Sequence, residues 1–415
     1  MKYSIKFSIR SAICAIIVFF IYHSNGFTQS AEYPDPVKNP ESTLMLIGDW
    51  FEHPHKIDFD NLPRVPREHI VVSNVTDENR VNQHNYLIHY NDELWAMWSD
   101  GPGIEDRVGQ VVKFSRSQDG VNWREPEYLT PYPPKSDPDS PYYNTRSEEG
   151  FRYIARGFWI RDEKLYALVS LDEAAGFFGP SLELRAFRWN GAENVWQDYI
   201  KIHDNAINNF PPKTLPTGEY MMSRRTYDYK KEGVPVEFLV GGIDAINQWE
   251  SFPVLGSESE LAAEEPYWWV LPDGESLMAL FRDNRRSGYI YRSFSTDNGR
   301  TWSRPVRTNF PDARSKFHGL RMSNGQYVLV SNSHHEHRQW LTLAISEDGM
   351  VFDRLFFLVE GLRKGDRPGV DYPMVMELDG YLYIAHSGGH GGRKQSVEIQ
   401  RVRISDLEKM TMGEK

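Results

Sequence analysis

The chain has 415 residues, a formal net charge of −11, 25 prolines, 13% aromatic residues and a single cysteine, Cys14. Its acidic balance disfavours nucleic acid as a partner. One cysteine excludes a disulfide within the chain and a cysteine-rich zinc site.

In chain order, Lys2, Lys6 and Arg10 precede an apolar run from Ser11 to Tyr22, which is too short to span a bilayer comfortably. This pattern predicts a signal peptide over residues 1–30, cleaved near Gly26 or Ser30, and export to the periplasm or beyond. No membrane attachment is expected after cleavage. Loss of the peptide removes Cys14 and three basic residues, taking the net charge to −14. Residues 31–415 contain no Gly/Ser linker and are read as one catalytic domain, expected to be a monomer.

A lone strand from His69 to Ser73 comes first. An alternating strand, a tight turn and a second alternating strand then recur six times: Leu87 to Ser99, Phe158 to Ser170, Lys213 to Arg225, Trp269 to Asp283, Leu320 to Ser333 and Val375 to Gly388. Turns such as Pro272-Asp273-Gly274 and Ser323-Asn324-Gly325 are hairpin chemistry. Strand units at this period predict an all-β chain forming a single β-propeller. Seven blades are expected, with six as the alternative. In the alternative, the segment from Leu44 to Ser73 completes the last blade.

Three turns share Ser-x-Asp, then Gly, then an aromatic: Ser117 to Trp123, Ser295 to Trp302 and Ser346 to Phe352. Asp accepts backbone N–H bonds, Gly turns the corner and the aromatic packs back between strands. These stretches resemble the Asp-box of sialidase-type propellers. They speak for fold, not for catalysis.

Residues just before the first strand of each copy converge at one mouth of a propeller channel. They are Asn82-Gln83-His84-Asn85, Arg152 to Arg156, Asn208-Asn209, Glu264-Glu265, Lys316-Phe317-His318 and Asp371-Tyr372. Arg224, Arg225, Arg282, Arg285 and Arg286 follow second strands and can lean into the same funnel. A basic mouth on an acidic chain points to a small anionic ligand, an anionic oligosaccharide. Each residue has a bland alternative. His84 can be a hydrogen-bonded strand start, Arg156 can stack on an aromatic, and Glu265 can pair with Lys316. The cluster His334-His335-Glu336-His337 has poor facial spacing for a metal and reads as a solvated loop. Ser387 to Gly392 opens no helix, so phosphate cradling is not expected.

Asn82-Gln83-His84, Leu94 to Ser99, Gly109-Gln110, Ala155 to Trp159 and Phe281-Arg282-Asp283 together resemble the β-propeller uronate-processing families: ulvan lyases, rhamnose–glucuronate lyases and related α-L-rhamnosidases. The resemblance implies that a His, an Arg and a Tyr act on a uronate, here His84, Arg156 and Tyr143 (or Tyr142). The mouth positions themselves predict substrate binding by Arg152, Arg224, Arg225, Glu265, Lys316, His318 and Tyr372. A second His of the lyases is missing at Ile104-Glu105-Asp106-Arg107, which favours dehydratase-type members over ordinary lyases. The implied reaction is elimination across C4–C5 of a uronate in ulvan-type oligosaccharides, with no cofactor required. A bound Ca²⁺ held by Glu265 and Asp371 is the alternative. Sialidases share the Asp-box but show an Arg-Ile-Pro start and a Tyr/Glu nucleophile pair, and no Arg-Ile-Pro occurs here. A hydrolase, or a glycan-binding propeller without catalysis, is the other reading.

Overall fold

The computed structural model describes residues 35–103, 105, 107–139, 150–173, 178–362, 369–390 and 394–412. The expected signal peptide with Cys14, and the candidates Tyr142 and Tyr143, lie outside them. Among the described residues, 24 strands form six four-stranded antiparallel sheets. Five sheets are consecutive in sequence: blade 1 over residues 81–128, blade 2 over 151–204, blade 3 over 213–253, blade 4 over 263–311 and blade 5 over 318–360. The first strand of each blade lines the axis.

The propeller therefore has six blades, not seven. Blade 6 takes Asp371–Leu378, Tyr381–His390 and Lys394–Arg403, and its outer strand is Glu68–Ser73 from the other end of the chain, with Ile70 opposite Ile399. Pairing the two ends closes the ring and leaves neither a free terminal strand nor an unfinished sheet edge. Residues 35–67 supply no further blade. They form an arm whose only helix is the 3₁₀ turn Pro54–Lys56. The arm lies on blades 4 and 5. Leu46 bridges Phe352, and the Asn309 side chain accepts from the N–H of both Met45 and Leu46 at 2.8 Å.

Aromatic and branched residues on alternate strand positions pack sheet against sheet. Trp95, Phe114, Phe158 and Phe187 fill the space between blades 1 and 2. Leu46, Phe59, Phe310 and Phe352 join the arm to blades 4 and 5.

The three boxes act as turn staples. Asp119 accepts from Val121 and Asn122, Asp297 from Arg300 and Thr301, and Asp348 from Met350 and Val351, all at 2.7–3.1 Å. Trp302 donates to the Gly299 carbonyl at 2.9 Å and stacks on Phe238. Asp297→Ala leaves these donors without their acceptor and is expected to cost about 1–3 kcal/mol. Chemical denaturation checks this, with activity per folded molecule unchanged.

Candidate functional site

Each blade brings one residue to the channel from its inner strand or from just before it: His84, Arg156, Glu265 and Tyr372 lie in inner strands, and Asn209 and Lys316 precede theirs. In blades 1, 4 and 6 the inner strand carries a bulge at this point, and the residue there has positive φ: 55° for His84, 51° for Glu265 and 56° for Tyr372. Such backbone is costly for a residue with a side chain, and a bulge re-aims that side chain away from the sheet. Blade 2 meets the same need with Gly157, at φ 114°, where a Cβ would lie 2.7 Å from Pro211. Strained positions repeated around one axis mark the mouth as a built site.

Two groups of contacts occupy it. In the first, the Tyr372 hydroxyl donates to Glu105 at 2.7 Å, and His84 Nε2 lies 3.3 Å from the same carboxylate oxygen. The His84 and Tyr372 rings are 4.8 Å apart. Burial pushes the Glu105 carboxyl up. Its contacts with His84 and Tyr372 and the charge of Arg338 outweigh that and hold it below the usual carboxylate range. Burial, then the Glu105 charge, holds the Tyr372 phenol well above its ordinary value. Arg338 meets Asp371 at 3.0 Å and lies over the Tyr372 ring at 5.6 Å.

In the second group, Arg282 pairs with Glu265 at 2.7 Å and with Glu264 at 3.2 Å. Glu264 also receives Arg225 at 3.9 Å, Asn284 at 2.9 Å and the Tyr229 hydroxyl. Arg225 donates to Asn209 at 2.7 Å. Lys316 is fully buried, 4.1 Å above the Tyr86 ring, and among the described residues its amine finds no hydrogen-bond acceptor. Burial lowers that amine to about 7.

The predicted residues separate by role. His84, Arg225, Glu265, Lys316 and Tyr372 come together. Arg156 sits at the ring, buried, with its Nε on Ser170 at 2.8 Å. Arg152 forms a wholly buried pair with Asp172 at 2.9 Å. Arg224 alternates to the other face of its strand and pairs with Glu237. The His318 ring packs 4.5 Å from that of Tyr267, and its Nδ1 accepts from the Val375 N–H at 3.2 Å. It is a core histidine. Glu265 pairs with Arg282 and not with Lys316, and Glu265 and Asp371, the calcium candidates, each hold a guanidinium. Among the described residues no group of three or more His, Cys, Asp or Glu is arranged to hold a metal ion.

Sequence reasoning missed two members. Glu105 lies in a stretch noted only for its lack of histidine. Arg338 lies in the loop after the second strand of blade 5. The available signal was the run of arginines after second strands, since those loops return to the same mouth. A separate groove of about 720 Å³, lined by Trp50, Arg354, Glu408, Met410 and Met412, lies by the arm and the C-terminus.

Residues 209–384 match the BNR repeat-like domain. No curated protein matches the sequence. Solved structures share the fold at low identity. A protein of unknown function from Dyadobacter fermentans is 14% identical, with a TM-score of 0.63 over 83% of this chain and 100% of that one. The intramolecular trans-sialidase from Ruminococcus gnavus, in complex with oseltamivir carboxylate, is 14% identical, with a TM-score of 0.60 over 82% and 99%. The Trypanosoma rangeli sialidase, in complex with sialic acid, is 14% identical, with a TM-score of 0.58 over 84% and 60%. The fold is thus that of the sialidase-like Asp-box propellers.

Proposed function

We propose that the protein is a glycan-processing enzyme that releases a terminal, carboxylate-bearing sugar at the channel mouth. One observation carries this reading: a tyrosine phenol hydrogen-bonded to a carboxylate, Tyr372 to Glu105 at 2.7 Å, inside a ring of guanidinium groups. Arg282 and Arg338 grip the sugar carboxylate, exchanging part of their present carboxylate partners for it. Tyr372 attacks the anomeric carbon. Its proton passes to Glu105 as the new C–O bond forms and the glycosidic bond breaks. An uncharged phenol suits an anomeric centre beside a carboxylate, because a carboxylate nucleophile there is repelled. His84 is placed to protonate the departing oxygen, and water then cleaves the tyrosyl–sugar bond. Known sialidases with this fold, one solved with sialic acid, support an acidic sugar as substrate.

The elimination expected from the sequence keeps one observation in its favour. His84 lies beside Tyr372, as a base for C5–H and an acid for O4 must lie on a uronate. Nothing in the site selects ulvan over other acidic glycans. The test incubates the protein with oligosaccharides ending in sialic acid, in glucuronate or in the matching neutral hexose. Release of the free acidic sugar without a new ultraviolet chromophore is the expected result. A conjugated, unsaturated uronate instead establishes elimination. Turnover of the neutral oligosaccharide alone overturns both.

A further inference from the structure

The loop that carries Arg338 is held by stacked histidines. The His334 ring lies 3.8 Å from His337, 4.5 Å from His335, 5.4 Å from Trp340 and 5.7 Å from Phe59 of the arm. His335 in turn stacks on His55 of the arm at 4.3 Å, and Phe59 lies flat on Trp340 at 4.6 Å. The loop expected to be solvated is thus clamped between the arm and blade 5. Its bonding also fixes a protonation state. His334 Nδ1 accepts from the backbone N–H of Glu336 at 3.1 Å and of His337 at 3.3 Å. A proton on Nδ1 turns that acceptor into a donor, breaks both bonds and places a cation in a stack of imidazoles.

We propose that His334 is a positioning residue for Arg338: its unprotonated Nδ1 and the histidine stack hold the loop so that Arg338 reaches the site, and protonation releases it. The consequence for an anionic sugar rests on the acidic-sugar reading above, whereas the release of the loop does not. Among the described residues, these groups face the stack. His53 stands 5.1 Å from His55, and Tyr289 lies 4.9 Å beneath it with Arg307 at 5.6 Å over that ring. Glu336 is 3.7 Å from His335, and Lys56 is paired with Glu52 at 2.9 Å. Of these, Glu336 is the carboxylate at the stack, and its charge favours protonation there, against the burial and the neighbouring histidines that oppose it.

The sign follows from the clamped state. Burial, then the neighbouring histidines, lower His334 from 6.5 to about 3, and burial followed by His335 and His53 lowers His55. A lowered histidine favours the clamped loop above pH 6.5, and the clamp weakens as pH falls from there toward 3. At pH 5, linkage through His334 alone shifts the clamp equilibrium by up to about 30-fold, which solvent screening at the half-buried rim reduces to roughly 5- to 10-fold.

The experiment compares wild type, His334→Asn and His334→Ala at pH 7.5 and pH 5. Asn keeps an acceptor for the two backbone N–H groups but cannot titrate. Amide exchange of residues 332–340 in the unliganded protein, corrected for its intrinsic pH dependence, is expected to rise roughly 5- to 10-fold in wild type at pH 5 and to stay flat in His334→Asn. His334→Ala exchanges fast at both pH values. KM for the acidic oligosaccharide follows the same pattern, with kcat less affected. Equal exchange in wild type at the two pH values, or loss of protection in His334→Asn in parallel with wild type, overturns the proposal. If no acidic sugar is turned over, the exchange measurement still decides it.

Discussion

Replacing Tyr372 by phenylalanine is expected to lower turnover of acidic oligosaccharides by about 10²–10⁴-fold or more, with little change in melting temperature. The substitution removes one oxygen. The ring keeps its place beside His84, and the lost hydrogen bond ends on Glu105, whose side chain is 38% exposed and can turn to water. The stability cost is therefore about 1 kcal/mol. Glu105→Gln tests the partner. It keeps an acceptor for the phenol but no longer takes its proton, so it loses most of the activity while substrate binding survives. His84→Ala separates the two chemistries. Under glycosidic cleavage it impairs substrates with poor leaving groups most and spares those whose leaving oxygen needs no proton. Under elimination it removes the base and affects every substrate alike. Turnover by Tyr372→Phe within about threefold of wild type removes the phenol from the chemistry.

The fold was legible because its signals are local. Hairpin turns such as Asp273-Gly274 and Asn324-Gly325, and boxes such as Ser295 to Trp302, are written in a few consecutive residues with fixed chemistry. The blade number was less legible because the strand that decides it, Glu68–Ser73, pairs with Lys394–Arg403 across nearly the whole chain. Nothing in either segment alone names its partner. The site divides in the same way. The inner-strand positions could be counted from the repeat, and His84, Glu265, Lys316 and Tyr372 do meet at the axis. Glu105 and Arg338 sit on loops, where no period constrains a residue's direction, and their place at the mouth appears only when Tyr372 and Asp371 stand beside them. Arg224 and Arg225 show the limit within one strand. Adjacent residues face opposite sides, so a pair of arginines yields one residue at the channel mouth and one lateral ion pair.

Arg152 and Arg282 were both read as residues able to reach the channel mouth, and opposite outcomes are expected of them. Arg152→Ala is expected to lower stability by about 3–5 kcal/mol, because it leaves Asp172 buried without its cation. Both side chains of that pair have 0% exposure, so water cannot replace the guanidinium. Burial already raises Asp172 to about 6 against the opposing pull of Arg152, and without the arginine the group rises further. The folded variant must then bind a proton that the unfolded chain, with an ordinary aspartate near 3.8, releases. Relative to wild type, whose Asp172 already stands at about 6, the deficit is therefore largest above the variant's still higher value and shrinks as pH falls toward 6. Urea unfolding at pH 7.5 and pH 5 measures both quantities. Arg282→Lys, in contrast, keeps a cation for Glu264 and Glu265 but loses the planar fork. It is expected to fold and to raise KM for acidic sugars at least tenfold, consistent with about 1.5–3 kcal/mol for a charge-assisted bond. The comparison is decisive in both directions. An Arg152→Ala protein that melts like wild type but binds acidic sugar weakly returns Arg152 to the mouth. An Arg282→Lys protein with unchanged KM shows that Arg282 serves only to hold the two glutamates.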